Sequence, residues 1–144
     1  MPAVTALSVY CVAGPLTVAS WVSLPALVRA ERVTEKAGAV GFDWPDARSV
    51  LAKVREELEE VTEAIDSGVP ERIEAELGDL LFAVANLGRW VKTHPEEALR
   101  GTLRRFEARF HYIEEKLRER GKSPRESNLA EMDSLWDEAK KVGG

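Results

Sequence analysis

Apolar residues recur with the 3.6-residue period of an α-helix along most of this 144-residue chain. Proline and glycine interrupt that period at a few places and divide it into separate segments. Because no strand pattern competes outside the N-terminal segment, we predict an all-α fold. The predicted helices run over about Leu24 to Ala39, Pro45 to Asp66, Pro70 to Thr93 and Glu96 to Arg120, with a short last helix around Leu135-Trp136.

The second and third helices are joined by a short turn, Ser67-Gly68-Val69-Pro70. Glycine readily ends a helix, and proline is tolerated in the first turn of the next one. The second helix opens at Pro45 or Asp46, because aspartate caps the free amides at a helix start. These signals predict a tight helical hairpin that turns the two helices toward each other.

Each long helix carries a stripe of large apolar residues that we predict to be its core face. A stripe of polar and charged residues runs along the same side of each core stripe when about 100° is allowed per residue. The predicted core positions are Val50, Leu51, Val54, Leu58, Val61 and Ile65 on the second helix, Ile73, Leu77, Leu80, Leu81, Val84 and Leu87 on the third, and Leu99, Leu103, Phe106, Phe110, Ile113 and Leu117 on the fourth.

Two pairs of acidic residues lie on the predicted hairpin. Glu57 and Glu60 are three residues apart, and after fifteen intervening residues Glu76 and Asp79 repeat that spacing. Residues three apart share one face of a helix, so each pair presents two carboxylates together. Four hard oxygen ligands that converge suit Mg²⁺ when it carries substrate phosphates. The spacing therefore favours a metal-dependent enzyme acting on phosphates, with solvated acidic helix faces as the alternative.

Charge is distributed unevenly along the chain. Residues 56–79 contain ten acidic residues and one basic residue, whereas residues 100–125 contain nine basic and four acidic residues. Five glutamates fall within residues 56–63. Like charges three or four apart destabilise a helix by about 0.2–0.5 kcal/mol per pair, and a bound divalent cation would reverse that repulsion. We interpret the first segment as a cation site and the second as able to hold an anion.

Composition limits the class of protein. A length of 144 residues, 44% hydrophobic and 31% charged, is typical of one globular domain. The net charge of −5 argues against a nucleic-acid partner. Cys11 is the only cysteine, which excludes an internal disulfide and a zinc–thiolate cluster and fits the reducing cytoplasm. Residues 2–28 are uncharged, but they lack a basic start and contain Gly14-Pro15 and Pro25, so we predict no signal peptide and no membrane association.

Other common phosphate and metal motifs are missing from the sequence. There is no Gly-x-x-x-x-Gly-Lys loop and no Gly-x-Gly-x-x-Gly turn, so any phosphate would be held by metal and side chains. Neither His94 nor His111 follows an acidic residue at the Glu-x-x-His spacing of di-iron bundles. On the last helix, Trp136 and Lys140 stand four residues apart and form a candidate nucleotide contact.

At these residues the chain resembles the MazG family of nucleoside triphosphate pyrophosphohydrolases, part of the all-α NTP pyrophosphatase superfamily. The resemblance covers about residues 23–142 and is to the C-terminal, catalytic half of a two-domain member. The chain departs from many relatives at Gly101-Thr102, where Ala-Asn is common. The matching motifs are Leu24-Pro25-Ala26-Leu27, Lys36-Ala37, Gly41-Phe42-Asp43-Trp44, Glu56-Glu57-Leu58-Glu59-Glu60, Glu76-Leu77-Gly78-Asp79, Asn86-Leu87, Arg105-Phe106-Glu107-Ala108-Arg109-Phe110 and Leu135-Trp136.

The resemblance implies hydrolysis of a nucleoside triphosphate between the α and β phosphates, giving a nucleoside monophosphate and pyrophosphate. It implies Mg²⁺, with Mn²⁺ as a substitute, and Glu56 or Glu60 as the residue that positions the attacking water, with Glu57 also catalytic. The implied metal ligands are Glu57, Glu60, Glu76 and Asp79. The implied substrate contacts are Lys53, Arg105 and Arg109 to phosphate, Asn86 to the sugar or base, and Trp136 with Lys140 to the base.

We expect one domain over residues 23–144, preceded by an uncharged apolar extension over residues 1–22 with no assigned role. Because a single hairpin cannot bury both faces of its helices, we expect a homodimer or a higher homo-oligomer, with a four-helix core that forms across the subunits. The physiological role would be clearance of abnormal nucleotides or control of nucleotide pools under stress. The alternatives are a dUTPase-like or phosphoribosyl-ATP pyrophosphohydrolase activity, and a catalytically silent helical module that binds a protein partner.

Overall fold

The computed structural model describes residues 21–143. In this range the chain has no strand, which confirms the all-α prediction, and none of its helices is long and apolar enough to cross a membrane. The predicted N-terminal extension lies outside the described residues except for its last two positions. The helices are α1 Ala26–Ala39, α2 Ala47–Ser67, α3 Pro70–Trp90, α4 Pro95–Glu119 and α5 Leu129–Val142, with a 3₁₀ turn at Pro124–Glu126.

The hairpin of α2 and α3 is fixed by the residues that the sequence singled out. Asp46 is the N-cap of α2, and its side chain accepts a hydrogen bond of 2.7 Å from the backbone N–H of Ser49. The helix ends at Gly68, whose φ of 67° is in the left-handed region that glycine adopts without strain. Pro70 then occupies the first turn of α3.

The chain divides into two compact units, with the boundary between Ala98 and Leu99 inside α4. In the first unit, α3 packs against both α2 and α1. The buried apolar side chains of this unit are small, and small side chains allow helix axes to approach closely. They are Val50, Val61 and Ala64 on α2 and Ala83 and Ala85 on α3.

The second unit has an apolar core between α4 and α5. Ile113, Leu117 and Leu135 are buried there, and Trp136 packs against them. Phe106 extends this packing, because its ring lies 5.3 Å from that of Trp136. This core follows the 3.6-residue period of α4 as predicted.

Much of the predicted core stripe of the hairpin is exposed in the single chain, although Val50 and Val61 are buried as predicted. Leu58 on α2 is 55% exposed and Leu77 on α3 is 47% exposed. The hairpin instead buries the neighbouring face, which includes Glu57 and Ala64, because no described helix covers the leucine stripe. Other predicted core positions that are exposed are Leu51, Ile65, Leu81 and Val84 on the hairpin and Leu99, Leu103 and Phe106 on α4.

Candidate metal and nucleotide site

Three carboxylates meet on the inner face of the α2–α3 hairpin. Glu57 of α2 and Glu76 and Asp79 of α3 each offer an oxygen, and these oxygens lie within 4.8 Å of one another. The spacing of three residues places the two α3 side chains on one helix face, and the turn at Gly68 brings α2 alongside them. Grouped carboxylate oxygens are the ligands that hard divalent cations such as Mg²⁺ prefer.

Glu57 is the most constrained member of this group, since only 6% of the residue is exposed. Its Oε1 atom forms an ion pair with Nζ of Lys53 at 2.7 Å. Its Oε2 atom is buried and has no hydrogen-bond partner among the described residues. A buried charged oxygen without a donor or a cation is unfavourable. Oε2 is therefore the atom that a bound cation would satisfy.

Neighbouring charges set the protonation of the site. The hydrogen bond from Lys53 lowers the pKa of Glu57, although burial opposes this shift. The pKa of Lys53 is raised, first by its hydrogen bond with Glu56 and then by that with Glu57. The pKa of Glu60 is raised, first by the neighbouring side chain of Glu57 and then by burial.

The structure groups three of the four predicted metal ligands. The fourth, Glu60, lies beside Glu57 but outside the group of three, so its role as a ligand stays a prediction. Glu56 has a side chain that is 58% exposed and lies 2.8 Å from Nζ of Lys53. Lys53, predicted to bind phosphate, is therefore held between two glutamates.

Asn86, another predicted substrate contact, is buried on α3 within an ionic network. Its Oδ1 atom accepts hydrogen bonds of 3.2 and 3.0 Å from the guanidinium of Arg89. The same guanidinium forms two hydrogen bonds with the carboxylate of Asp43, which lowers the pKa of Asp43. Sequence reasoning missed this ion pair, because its members are 46 positions apart and only the Gly41-Phe42-Asp43-Trp44 motif pointed to the loop.

The remaining predicted substrate contacts belong to the second unit. Arg105 and Arg109 lie one turn apart on α4 and line a cavity of about 240 Å³. The guanidinium of Arg109 lies 5.5 Å from the ring centre of Trp136. Lys140 forms an ion pair of 2.8 Å with Asp137 within α5. Their contacts with a substrate stay predictions.

The fold and the carboxylate group define a class: a helical hairpin domain whose facing helices can hold a divalent cation through carboxylates. The chain belongs to the MazG nucleotide pyrophosphohydrolase domain family, whose sequence model matches residues 46–122. The matched segment contains the whole hairpin with Glu57, Glu76 and Asp79. The family resemblance found in the sequence is confirmed.

Similar proteins are named as nucleoside triphosphate pyrophosphohydrolases. The chain is 43% identical over 117 residues to the nucleoside triphosphate pyrophosphohydrolase/pyrophosphatase MazG of Thermotoga maritima, covering 81% of this chain and 45% of that protein. It is 40% identical over 121 residues to the nucleoside triphosphate pyrophosphohydrolase of Escherichia coli K12, covering 83% of this chain and 46% of that protein. The chain therefore spans a little under half the length of these relatives.

Proposed function

We propose that this domain hydrolyses nucleoside triphosphates between the α and β phosphates, releasing a nucleoside monophosphate and pyrophosphate. The observation that carries the proposal is the grouping of Glu57, whose buried Oε2 atom has no hydrogen-bond partner, with the carboxylates of Glu76 and Asp79. Family membership supports the same reaction, since the two relatives above are named for it. Those relatives are about twice as long as this chain, so the experiment must use the chain itself.

Mg²⁺ is the cation that we propose for this site, with Mn²⁺ as a substitute. The ligand set is made of carboxylate oxygens alone, which suits these ions better than softer ones. Glu57, Glu76 and Asp79 would hold the cation, and Glu60 would be the fourth ligand. When bound, the cation supplies charge neutralisation to the phosphates and lowers the pKa of the attacking water.

Of the two residues predicted to position that water, the surroundings favour Glu60. Glu56 is largely exposed and paired with Lys53, whereas Glu60 is partly buried beside Glu57. In this role Glu60 would take a proton from the water as the water oxygen bonds to phosphorus. The bond from that phosphorus to the α–β bridging oxygen breaks, which gives the nucleoside monophosphate and pyrophosphate.

Basic side chains would bind the phosphate oxygens that the cation leaves free. Lys53 lies at the carboxylate group, and Arg105 and Arg109 share one face of α4. Arginine is suited to this task because its planar guanidinium can bind two oxygens at once. Trp136 and Lys140 are the further nucleotide contacts predicted from the sequence.

The test is release of pyrophosphate from a panel of standard, deoxy and oxidised nucleoside triphosphates, with and without Mg²⁺. We expect pyrophosphate only when the cation is present. Orthophosphate in its place would mean cleavage of a different bond and would overturn the proposal. Including dUTP and phosphoribosyl-ATP separates the two related activities, and no product at all would favour a silent helical module. Preference for abnormal nucleotides would support a role in cytoplasmic nucleotide-pool clearance.

We also propose that the chain forms a homodimer. The leucine stripe of the hairpin leaves Leu51, Leu58 and Ile65 exposed on one face of α2. Contiguous apolar surface of this kind marks an interface, and a second copy offers a matching stripe through a two-fold axis. Light scattering should give twice the 16.0 kDa of one chain, and Leu58→Glu should reduce it to one. A wild-type mass of one chain at working concentration would contradict the dimer.

A further inference from the structure

Both helices of the hairpin carry the same pattern of charges. A basic residue is followed after four positions by an acidic residue, and after three more positions by a second acidic residue. These residues are Lys53, Glu57 and Glu60 on α2, and Arg72, Glu76 and Asp79 on α3. Residues four apart lie one turn apart on one helix face, so each basic side chain can reach the first acidic residue of its own helix.

The structure shows this contact in both helices. Nζ of Lys53 lies 2.7 Å from Oε1 of Glu57, and Nε of Arg72 lies 4.0 Å from Oε1 of Glu76. In each pair the carboxylate is the more buried partner, because the side chains of Glu57 and Lys53 are 7% and 31% exposed. Those of Glu76 and Arg72 are 22% and 43% exposed. The basic groups therefore contact two members of the carboxylate group from its more accessible side.

Each basic residue also has a second acidic partner, which lies outside the carboxylate group. Nζ of Lys53 lies 2.8 Å from Oε1 of Glu56. Nη2 of Arg72 lies 3.4 Å from Oε2 of Glu63, so this side chain links α3 to α2. Both of these second partners are exposed. A basic side chain that leaves the carboxylate group would therefore keep an ion-pair partner.

Stabilisation of the helices is a poor explanation for these pairs. At a spacing of four residues, the order with the acidic residue first is the more favourable one, and both helices have the reverse order. The pairs instead reduce the repulsion among three carboxylates whose oxygens lie within 4.8 Å of one another. Lys53 and Arg72 offset two of the three negative charges that this group carries when all its members are ionised.

We propose that Lys53 and Arg72 are resident counter-ions of the carboxylate group, which neutralise it when no metal is bound and move to their exposed partners when a divalent cation binds. This inference rests on the proposed function, because it takes the carboxylate group as the metal site. It adds a coupling between metal and phosphate. The ammonium of Lys53, once released from Glu57, is free to donate to a phosphate oxygen, which agrees with the predicted phosphate contact.

The competing role for Lys53 is to orient Glu57 toward the metal. Burial already restricts Glu57, since its side chain is only 7% exposed. The loss of Lys53 should therefore act mainly through its charge. Removing a positive charge strengthens binding of a divalent cation, whereas removing an orienting partner weakens it by about 10- to 100-fold. The two roles thus predict changes of opposite sign.

Titration with Mn²⁺ in the absence of nucleotide tests the proposal without turnover, with the electron paramagnetic resonance signal of free Mn²⁺ as the readout. Lys53→Met should raise the affinity by about 3- to 20-fold, the range for one unit charge a few ångströms from a divalent cation in a medium close to water. Arg72→Met should raise it less, because its pair is longer and more exposed. Lys53→Arg, which keeps the charge, should bind Mn²⁺ as the wild type does.

Arg55→Met is the matched control, because Arg55 is an exposed basic residue on α2 two positions from Lys53. It should leave the Mn²⁺ affinity within about twofold of wild type at physiological salt, which screens distant exposed charges. Thermal unfolding provides a second readout. Lys53→Met should lower the unfolding midpoint in a chelator and recover most of that loss in saturating Mg²⁺, because tighter binding of the cation adds more stability.

Weaker Mn²⁺ binding by Lys53→Met would overturn the proposal and make Lys53 an orienting residue. An unchanged affinity, or an equal gain in Arg55→Met, would overturn it too. Should Lys53→Met fail to fold by circular dichroism, the sign of the change in Arg72→Met decides.

A wild-type chain that binds Mn²⁺ but releases no pyrophosphate from any nucleotide would overturn the proposed reaction, while the variants still decide the role of the counter-ions. A wild-type chain that binds no Mn²⁺ would overturn the metal site and this inference together.

Discussion

The two units of this chain bury different kinds of side chain. In the first unit, the buried residues include Glu57 and Asn86, while Leu58 on the same hairpin is 55% exposed. In the second unit, Leu117 and Leu135 are almost fully buried, and the charged residues lie around them. The burial pattern of the first unit lowers the stability of its fold, since buried polar groups and exposed leucines are both unfavourable.

The carboxylate group and the large apolar core thus lie in different units. A buried carboxylate with an unpartnered oxygen is explained most simply as a group prepared for a ligand, because evolution has no structural reason to keep it. Among the described residues, the core of α4 and α5 contains no buried carboxylate of this kind and is formed by apolar packing. Substitutions at the carboxylate group should therefore act on activity, and substitutions in the core of α4 and α5 should act on stability.

The largest effect should come from Glu57→Gln. This substitution removes a negative charge and replaces one carboxylate oxygen by an amide nitrogen, so pyrophosphate release should fall by more than about 100-fold, the upper end for residues that only support a ligand. Helical content should stay the same, because Lys53 keeps its partner Glu56. Steady-state kinetics and circular dichroism measure the two quantities.

Glu59→Gln is the matched control for this substitution, since Glu59 is an exposed glutamate on the same helix. It should retain wild-type turnover. Equal losses in both variants would mean that the overall negative charge of α2 matters, and loss of helicity in Glu57→Gln would make Glu57 a structural residue.

A second comparison uses leucines. Leu117→Ala in the core of the second unit should destabilise the fold by about 2–5 kcal/mol, the usual range for a buried leucine. Leu58→Ala in the first unit should change stability by less than about 0.5 kcal/mol when the chain is monomeric, because most of this side chain is already in solvent. Urea unfolding at several protein concentrations measures both values.

The concentration dependence of these unfolding curves distinguishes a leucine in the core of the monomer from a leucine in a dimer interface. A cost of Leu58→Ala that grows with protein concentration would locate Leu58 in a dimer interface. A cost as large as that of Leu117→Ala in the monomer would contradict the exposed leucine stripe.

Much of the fold could be predicted from local sequence signals. Helix starts and ends depend on capping residues and turns, and Asp46, Gly68 and Pro70 act through their nearest neighbours. The carboxylate group was predictable for the same reason, because the spacing within each pair and one short turn determine which side chains meet.

The parts that could not be predicted depend on distant contacts. The period of α2 indicates that Leu58 and Glu57 lie on adjacent faces, but only the packing of α3 and α1 decides which face is buried. The ion pair of Asp43 with Arg89 joins a loop to a helix across 46 positions and has no local signal. For Lys53, sequence supplied a charge, and only the structure shows that two glutamates hold it.

Replacing one glycine by alanine in each unit compares the stability effects of an added methyl group in the two units. A Cβ atom on Gly38 in α1 would lie 2.5 Å from Oδ2 of Asp43 and 3.3 Å from Nη1 of Arg89, so Gly38→Ala must displace that ion pair. We expect a loss of about 1 kcal/mol or more in stability, as for other disturbed partly buried hydrogen bonds. Gly101→Ala in α4 has its nearest neighbour at 3.5 Å and should instead stabilise by about 0.5–1 kcal/mol.

Thermal unfolding measures both glycine variants, and a double mutant identifies the cause. In an Asp43→Ala background the cost of Gly38→Ala should shrink, because the side chain nearest the added Cβ atom is gone. An unchanged cost would mean that the helix backbone around Gly38, and not the ion pair, resists the substitution.

The smallest effect should be the pH dependence that Glu131 gives to the second unit. Its carboxylate binds Lys122 at 2.7 Å, Ser127 at 2.6 Å and Arg120 at 2.8 Å. These contacts, that of Lys122 first, lower the pKa of Glu131 from 4.5 to about 2. A carboxyl with a lowered pKa stabilises the fold fully above its unfolded value, and the contribution is lost as pH falls toward the folded value.

The difference in unfolding midpoint between wild type and Glu131→Gln should therefore be constant above pH 4.5 and shrink as pH falls toward 2. The effect is small because the basic partners are partly exposed and solvent screens them. Lys122→Met should move the acid limb of the wild-type profile to higher pH, since it removes the strongest contact. A difference that persists unchanged at pH 2 would mean that Glu131 acts by packing, in keeping with a unit held by its core.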